Sequence, residues 1–234
     1  MLSFFSAVCM PIQIKLLGKP RQKEKNIHMI HPDTRLDFLG ENMGHGVVAM
    51  KLIPAGTIVY AKDCLEIEMD GSNPLFHDRV YREIIDKYSY IEPGGNYVIS
   101  WDLAKYVNHS CNSNTLSTGY GFEIAVRDIL PGEELTDDYG MLNIEHELIC
   151  DCRSPNCRSK IQTDDLLFHA DYWDEKVRHA LSLFNSVEQP LKHLVPIETL
   201  LDLESFFLSE ENYKSVNTLY CRSKSNSYPE SQIV

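Results

Sequence analysis

Short apolar runs separated by turn residues occupy the middle of the chain. Five of these runs predict β-strands, at 47–50, 57–60, 97–99, 122–126 and 134–136. Pro54-Ala55-Gly56 and Pro131-Gly132 mark turns between them. Because the strands are short and irregularly connected, we expect a curved assembly of sheets rather than alternating parallel strands and helices.

Two other parts of the chain have helical spacing. Asn73 before Pro74 is typical of a helix start, and Phe76, Val80 and Ile84 follow at four-residue intervals. After residue 162, six apolar residues fall on one face of a predicted helix: Leu166, Ala170, Trp173, Val177, Leu181 and Phe184. Pro196 opens a second predicted helix, which carries Ile197, Leu200, Leu201, Phe207 and Leu208. The pattern therefore predicts an α+β protein of mostly short strands with a C-terminal helical extension.

The overall charge restricts the class of partner. The 234 residues include 22 basic and 34 acidic ones, for a net charge of −12. Nucleic-acid binding depends on Lys and Arg, so we expect no direct contact with nucleic acid. A basic protein or peptide suits an acidic surface better. No apolar run reaches the ~20 residues of a transmembrane helix, so we expect no membrane partner.

The seven cysteines bear on the cellular compartment. Cys9, Cys64 and Cys221 stand alone, and an odd, uneven set favours a reducing compartment over a disulfide scaffold. The basic residues near the N-terminus follow its mildly apolar start, which is the reverse of a secretory signal. We therefore expect a cytoplasmic or nuclear protein, with export by another route left open.

Three cysteines lie close together near residue 150. Cys150, Cys152 and Cys157 form a C-x-C-x4-C pattern, near enough to share a metal ion. Zinc prefers four ligands, and Cys111, in another polar, turn-rich segment, is the natural fourth. The alternative is buried free thiols. The intervening residues have the composition of a loop, which favours zinc.

Two glycines precede the first predicted strand, in the segment Gly44-His45-Gly46. The segment formally fits a dinucleotide-binding pattern, but that pattern requires a following helix and here a strand runs towards Pro54. Glycines at this place let the backbone approach a ligand closely. A plain tight turn remains the alternative.

Four consecutive residues, Asn108-His109-Ser110-Cys111, have side chains that can form hydrogen bonds or take part in catalysis. His109 and Cys111 are too close in sequence to face each other as a catalytic pair without a special turn. The chain has no G-x-S-x-G elbow of a serine hydrolase. Asn108 and His109 can instead hydrogen-bond a ligand, and a loop with internally satisfied polar groups is the alternative.

An acidic run ends at Tyr139, within residues 132–140. Glu133 and Glu134 lie beside a turn, which indicates solvated carboxylates. The phenol of Tyr139 both donates and accepts hydrogen bonds and is therefore suited to holding an amine.

Taken in order, these four segments resemble SET-domain protein lysine methyltransferases of the compact single-SET type with a post-SET zinc segment. The resemblance runs from about residue 30 to residue 160 and includes 53–57, 108–114 and Cys157-Arg158. It implies the SET β-fold, with a pseudoknot in which the segment at 108–111 passes under the strand carrying the tyrosine motif. The expected domains are an N-terminal leader (1–28), the SET domain (29–143), the post-SET zinc segment (144–161), a helical extension (162–210) and a flexible C-terminal tail (211–234).

The resemblance also implies the roles of individual residues. The catalytic residue is Tyr139, and the S-adenosylmethionine site comprises Gly44, His45, Gly46, Tyr97, Asn108, His109 and Tyr139. The structural Zn²⁺ ligands are Cys111, Cys150, Cys152 and Cys157. Tyr97 and Tyr139 are both expected to line the channel through which the lysine enters.

The chemistry expected of such a site is an in-line displacement, in which alignment supplies most of the catalysis. The lysine amine must be neutral, although free lysine has a pKa of about 10.4. A desolvated aromatic channel beside a positive sulfonium favours the neutral amine, so no strong general base is required. The phenol oxygen of Tyr139 can stabilise the moving methyl group.

Three positions depart from the family pattern: Asp137 replaces a common aromatic residue, Ser113 a proline and Ser159 a glycine. The position of Asp137 influences how many methyl groups are added. An ionised carboxylate beside the amine would favour its charged form, so we expect Asp137 to point away from the amine or to pair with a cation.

Two functions of different classes remain open. The first is an active methyltransferase acting on a basic protein or peptide that presents a lysine, and the second is a catalytically idle SET fold that serves as a protein-interaction module. The combination of Asn108, His109 and Tyr139 favours the enzyme over the module. A methyltransferase for a non-protein amine fits the acidic charge less well. The apolar stripe of the helical extension must be buried against the core or a second copy, which makes a homodimer through the C-terminal helices possible.

Overall fold

The computed structural model describes residues 28–221. Nearly all of the predicted leader and residues 222–234 of the predicted tail lie outside this range. Within it, the chain forms twelve short strands and three α-helices, which confirms the predicted α+β class. None of these helices has the length and apolarity needed to cross a membrane.

Most of the secondary-structure elements are short. The strands are β1 (Thr34–Gly40), β2 (Gly44–Ala49), β3 (Ile58–Ala61), β4 (Ile67–Met69), β5 (Ser89–Ile91), β6 (Tyr97–Ile99), β7 (Asn108–His109), β8 (Thr115–Ser117), β9 (Phe122–Ala125), β10 (Thr136–Asp137), β11 (Leu148–Ile149) and β12 (Lys160–Ile161). The α-helices are α1 (Arg79–Tyr88), α2 (Asp165–Leu183) and α3 (Ile197–Leu208).

The strands pair into five small sheets. Four of the sheets are antiparallel, with strand orders β1-β2, β3-β9-β8, β4-β6-β5 and β11-β12. The fifth is the parallel pair of β7 and β10, in which Asn108 lies opposite Thr136 and His109 opposite Asp137. This parallel pair brings together two segments that are separated by more than twenty residues of chain.

The helical extension packs onto the sheet formed by β3, β9 and β8. All six residues of the predicted stripe on α2 and just beyond it are buried, in one cluster with Ile58, Leu116 and Ile124. The stripe is therefore covered by the same chain, the first of the two predicted alternatives. The second helix begins after Pro196 as predicted, but Leu203 and Phe206 are its buried residues while Ile197, Leu201 and Leu208 are exposed.

The described part of the predicted tail is packed against the core. Val216 is fully buried in the same cluster as α2, and its backbone N–H donates to the carboxylate of Asp174. Cys221 is buried, and its backbone N–H donates to Asn143. A flexible tail was predicted here, and the polar composition of the end of the chain does not reveal these few anchoring residues.

Several local features differ from the sequence prediction, among them a strand and a helix. Strand β1 was not predicted, although Arg35, Leu36 and Asp37 pair regularly with β2. The predicted helix after Asn73 is split into a 3-10 turn at Pro74–His77 and helix α1. The split falls at Asp78, whose side chain accepts from the backbone N–H groups of Val80 and Tyr81 and so caps α1.

Candidate active site

The glycine segment and the asparagine of the 108–111 segment meet in the structure. The side-chain amide of Asn108 donates to the carbonyl oxygen of His45 at 3.0 Å and to Oε1 of Glu134 at 2.7 Å. A Cβ atom at Gly46 would lie 3.0 Å from the Asn108 amide nitrogen and 2.6 Å from Glu134 Oε1. Only glycine therefore permits this approach of β2 to β7. At Gly44, which has a φ of 71°, an added Cβ meets no atom within 4 Å, so the space beside it is open.

Glu134 differs here from the sequence interpretation, which placed it in solvent with Glu133. Glu134 is half-buried and holds Asn108 through its carboxylate. Glu133 forms an ion pair with Arg127 at 2.6 Å. The turn that precedes both residues directs one carboxylate inward, which composition alone does not reveal.

Tyr139 follows β10 directly and lies beside His109. Its backbone N–H donates to Nδ1 of His109 at 3.1 Å, and the two rings are 5.3 Å apart. Its hydroxyl donates to the carbonyl oxygen of Val107 at 2.8 Å. Burial, together with the negative charge of Asp137 and Glu134, raises the pKa of Tyr139 above its ordinary value. The phenol is therefore neutral, with its hydrogen fixed and its oxygen free to accept.

A cavity of about 310 Å³, which we call the tyrosine cavity, opens next to this phenol. Its walls include Tyr60, Tyr90, Tyr139, Glu123 and Asp137. A second cavity of about 540 Å³, the C-terminal cavity, lies between the sheets and the segments 194–196 and 218–219. The two cavities share Tyr60, Tyr90, Glu123 and Leu142 as walls. They are therefore adjacent, and the shared residues form the partition between them.

The hydroxyl groups of the partition are held by hydrogen bonds. Tyr60 donates to Oε1 of Glu66 at 2.6 Å and lies 3.2 Å from the hydroxyl of Ser100. The Tyr90 hydroxyl is 3.5 Å from that of Tyr60. Burial raises the pKa of both tyrosines. Both phenols are consequently neutral, and their hydrogen bonds fix their orientation in the partition.

Three carboxyl groups line the tyrosine cavity: that of Asp86, which pairs with Arg82 at 2.6 Å, and those of Asp137 and Glu123. Asp137 is 3% exposed, and its Oδ1 accepts from the backbone N–H of Asp138 at 2.7 Å. Burial and the charge of Glu123 raise the pKa of Asp137 well above its usual value. Burial, with a smaller contribution from Glu66, raises the pKa of Glu123 to about 7. No cation pairs with Asp137 within residues 28–221, so the expected pairing with a cation is not found in this part of the chain.

Tyr97, which was expected to line the lysine channel, lies elsewhere. It is buried in a separate cluster, where its ring packs at 4.6 Å against Phe76 and its hydroxyl donates to Glu145 at 2.5 Å. It borders neither the tyrosine cavity nor the C-terminal cavity. The register of β6, in which Tyr97 pairs with Met69 and Ile91, turns its side chain towards this cluster.

Tyr60 and Tyr90 line the tyrosine cavity, where Tyr97 was expected. Sequence reasoning missed them because β3 and β5 belong to different sheets and neither residue lies in a recognisable motif. Glu123 was missed for the same reason: it alternates with buried Phe122 and Ile124 in β9 and resembles an outward-facing strand residue.

The four predicted metal ligands converge. Cys111 Sγ lies 3.7 Å from Cys150 Sγ, and Cys157 Sγ lies 3.6 Å from Cys150 Sγ. Zinc–sulfur bonds of about 2.3 Å give a tetrahedron whose S···S edges are about 3.8 Å, so these spacings fit one ion. Backbone N–H groups of Cys111, Arg158 and Ser159 donate to Cys152, Cys111 and Cys157 respectively, as expected around thiolates.

His109 also lies at this cluster. Its ligand nitrogen lies within 4.8 Å of the sulfur atoms of Cys111, Cys150 and Cys152, and Nε2 is 3.3 Å from Cys111. However, Nδ1 accepts the backbone N–H of Tyr139, so the neutral ring carries its hydrogen on Nε2. Nε2 therefore presents a donor to the sulfur rather than a lone pair to a metal.

Comparison with known proteins shows that part of this chain is similar to a known family. Residues 44–140 match the family model of the SET domain. Histone-lysine N-methyltransferase ASHR3 of Arabidopsis thaliana is 34% identical over 161 residues, which are 62% of this chain and 30% of that protein. Histone-lysine N-methyltransferase Set2 of Drosophila melanogaster is 30% identical over 142 residues, 53% of this chain and 6% of that protein.

A fungal protein gives a similar match. Histone-lysine N-methyltransferase, H3 lysine-36 specific, of Cryptococcus neoformans is 28% identical over 148 residues, 54% of this chain and 17% of that protein. The chain therefore spans less than a third of the length of each of these relatives.

Proposed function

Because this chain is a SET-domain protein of the lysine methyltransferase family, we propose that it transfers a methyl group from S-adenosylmethionine to a lysine of a histone or another basic protein. The observation that carries the proposal is the parallel pairing of β7 with β10. It places Asn108 and His109 beside Tyr139, at the edge of a cavity walled by three further tyrosines.

The first group of residues is proposed to hold the cofactor. Gly44 leaves the backbone of β2 open on its side, whereas Gly46 lets the side chains of Glu134 and Asn108 approach the strand closely. The carbonyl oxygen of His45 accepts the amide of Asn108, which fixes this backbone. His109 is held by Tyr139 and is neutral, because burial lowers its pKa. Bound there, S-adenosylmethionine supplies a methyl group on a positively charged sulfur, which an amine displaces in line.

Tyr139 is the proposed catalytic residue. Its hydroxyl hydrogen is donated to Val107, so its oxygen lone pairs face outward and can stabilise partial positive charge on a methyl group in transit. Tyr60 and Tyr90 exclude water from the tyrosine cavity and orient the incoming side chain. These residues supply alignment and a preorganised acceptor, which are the principal needs of such a displacement.

One zinc ion is proposed to bind to Cys111, Cys150, Cys152 and Cys157. The segment 144–161 contains only the two-residue strands β11 and β12, and Ile161 is its one fully buried residue. Without its own core, this segment needs the metal to fold. The ion would fix the segment next to His109 through Cys111.

The substrate is proposed to be a Lys- and Arg-rich protein segment. The net charge of −12 favours a basic partner. Histone H3 is the first protein to test, because the fungal relative is named for lysine-36 of H3. Such a substrate would place the protein in the nucleus.

The proposal is tested by incubating the purified chain with radiolabelled S-adenosylmethionine and histone H3, followed by mass spectrometry of the product. We expect methylated lysine from the wild type and a loss of at least 100-fold in kcat for Tyr139→Phe, with unchanged cofactor affinity by calorimetry. Tyr172→Phe removes an exposed phenol oxygen on α2, outside the tyrosine cavity, and should keep wild-type turnover.

The alternative function, an idle SET fold that acts as an interaction module, gives a different result. A wild-type chain that binds basic peptides but transfers no label to any basic protein would establish the module and refute the enzyme. Equal turnover of the wild type and Tyr139→Phe would show that another residue is catalytic.

A further inference from the structure

Glu123 occupies the junction between the two cavities. It lies in β9, the central strand of its sheet, opposite Tyr60 of β3 and Ser117 of β8. Its side chain is a wall of the tyrosine cavity and of the C-terminal cavity. A lysine side chain that passes from the C-terminal cavity towards Tyr139 must therefore pass this carboxylate.

The Glu123 carboxylate has no partner within residues 28–221. No hydrogen bond or ion pair reaches it, whereas the neighbouring Glu66 accepts hydrogen bonds from Tyr60 and Ser100. A half-buried carboxylate without a partner is costly to the fold. Such a cost is typical of a functional position, where a ligand supplies the missing partner.

The groups that face Glu123 from the surrounding elements do not neutralise it. Glu66 and Asp137 are acidic, and Tyr60, Tyr90 and Tyr139 are neutral phenols. The lysines at the cavity walls are engaged elsewhere. Lys62 pairs with Glu68 and Glu92, Lys87 lies 5.0 Å from the Tyr88 ring, and Lys105 donates to the Trp101 carbonyl oxygen.

The missing partner has a specific chemistry. The site needs a cation that donates hydrogen bonds and is long and narrow enough to reach into the cavity lined by Tyr60 and Tyr90. A primary ammonium at the end of an alkyl chain meets these needs and provides three donors. The same group must lose a proton before it can react, because an ammonium nitrogen has no lone pair.

We propose that Glu123 binds the ammonium group of the substrate lysine and accepts its proton before methyl transfer. This inference rests on the proposed methyltransferase function. In the step, one N–H bond of the ammonium breaks and its proton moves to a carboxylate oxygen of Glu123. The freed lone pair then forms the N–C bond as the C–S bond of the methyl donor breaks, and the proton later leaves to solvent.

The electrostatics of the cavity agree with this role. The pKa of Glu123, raised to about 7 by burial and by Glu66, lies near the range in which a group both takes and releases protons at neutral pH. Burial and the charge of Glu123 raise the pKa of Asp137 well above its usual value, which disfavours its charged form. Glu123 is therefore the available acceptor, and this chain does not depend on desolvation alone to generate the neutral amine.

The test compares Glu123→Gln, which keeps the shape but cannot accept a proton, with Glu123→Asp, which keeps the carboxylate. At pH 7 we expect kcat/KM of the Gln variant to fall at least tenfold. Its activity should rise between pH 7 and pH 10, as the lysine deprotonates in solution. The Asp variant should keep the wild-type pH profile at a lower rate, and Glu83→Gln, at an exposed ion pair on α1, should match the wild type.

A binding measurement provides a second readout that does not depend on turnover. By calorimetry without S-adenosylmethionine, a lysine peptide should bind the Gln variant at least fivefold more weakly than the wild type. A norleucine peptide, which lacks the ammonium, should bind both equally.

The outcomes separate the two proposals. A Gln variant with wild-type kcat/KM, pH profile and peptide affinity would overturn the role of Glu123 while leaving the enzyme established. Weaker peptide binding with an unchanged pH profile would show binding without proton transfer and would overturn the proposed step. An inactive wild type would refute the methyltransferase itself, and with it the proton transfer. If the Gln variant does not fold, an Asp variant with an altered pH profile would still overturn the proposal.

Discussion

The guanidinium group of Arg158 forms a two-point ion pair with the carboxylate of Asp138. Nη2 donates to Oδ1 at 2.5 Å and Nη1 donates to Oδ2 at 3.1 Å. The same carboxylate accepts the indole N–H of Trp173 at 3.2 Å. Asp138 precedes the candidate catalytic Tyr139, Arg158 follows a cysteine of the zinc segment, and Trp173 belongs to α2. One buried carboxylate thus joins the active site, the metal segment and the helical extension.

Replacing Arg158 by Gln should destabilise the protein. Asp138 is 1% exposed, and the change would leave its charge buried with only neutral donors. Breaking a buried pair from one side costs about 3–5 kcal/mol, and the partial exposure of Arg158 reduces this to about 2–4 kcal/mol. Urea unfolding at pH 7 measures the loss. Arg153→Gln, in the same segment but exposed, is the matched control and should stay within about 0.5 kcal/mol of the wild type.

The sequence predicts the chemistry of this site better than its shape. Asn108, His109 and Tyr139 lie in contiguous, recognisable segments, so the resemblance to the SET family implies roles for them. Tyr60, Tyr90 and Glu123 meet only because β3 pairs with β9 and because the β5 sheet lies beside them. Such contacts depend on strand register, which shifts a side chain to the opposite face with each single residue. Tyr97 shows the same effect, since its register turns it away from the cavity.

The zinc site should depend on the four cysteines and not on His109. We expect one equivalent of zinc per chain, lost in Cys157→Ser, because a hydroxyl is a poor substitute for a thiolate ligand. His109→Gln should retain the ion, since Nε2 of His109 carries a hydrogen while Nδ1 accepts from Tyr139. Metal analysis of each purified variant by mass spectrometry decides between these outcomes.

Cys64→Ser is the control for the zinc prediction, because Cys64 is exposed and lies away from the cluster. The Cys64→Ser variant should keep one equivalent of zinc per chain. Loss of zinc in His109→Gln with retention in Cys157→Ser would replace the four-cysteine site by one of three cysteines and a histidine.

Gly46→Ala should weaken binding of S-adenosylmethionine. The added methyl group would approach Leu39 Cδ1 to 2.4 Å and Glu134 Oε1 to 2.6 Å, so the side chains that hold Asn108 must move. We expect an affinity loss of about tenfold, equivalent to about 1.4 kcal/mol, by calorimetry. Gly94→Ala, at an exposed position where an added Cβ meets nothing within 4 Å, should leave the affinity unchanged.

Asp137→Phe should change the number of methyl groups added. Asp137 borders the tyrosine cavity beside Tyr139, and a phenyl ring would occupy volume that a partly methylated amine requires. We expect a higher share of monomethyl product, measured by mass spectrometry, at a stability cost of about 1–3 kcal/mol for overpacking. Asp137→Asn has the same size and should keep the wild-type ratio. Identical ratios in all three proteins would show that Asp137 does not limit product degree.

Glu123 should also make the stability of the protein depend on pH. Its pKa is about 7 in the folded protein against a reference of 4.5, so between these values the folded state binds more protons than the unfolded state. Its contribution to the free energy of unfolding therefore decreases as the pH rises from about 4.5 to about 7 and is constant above that. The difference of about 2.5 between the two pKa values corresponds to a decrease of at most about 3 kcal/mol in the free energy of unfolding.

Glu123→Gln removes this titration, so the variant should be more stable than the wild type by about 1–3 kcal/mol at pH 8 and nearly equal to it at pH 5. Urea unfolding of both proteins at the two pH values measures the difference, in which the titrating groups distant from Glu123 cancel. Glu83→Gln is the control and should show no pH-dependent difference. A Gln variant that is less stable than the wild type at pH 8 would mean that the carboxylate has a stabilising partner. Greater stability combined with lost turnover would instead show that the chain retains a destabilising charge because its chemistry requires one.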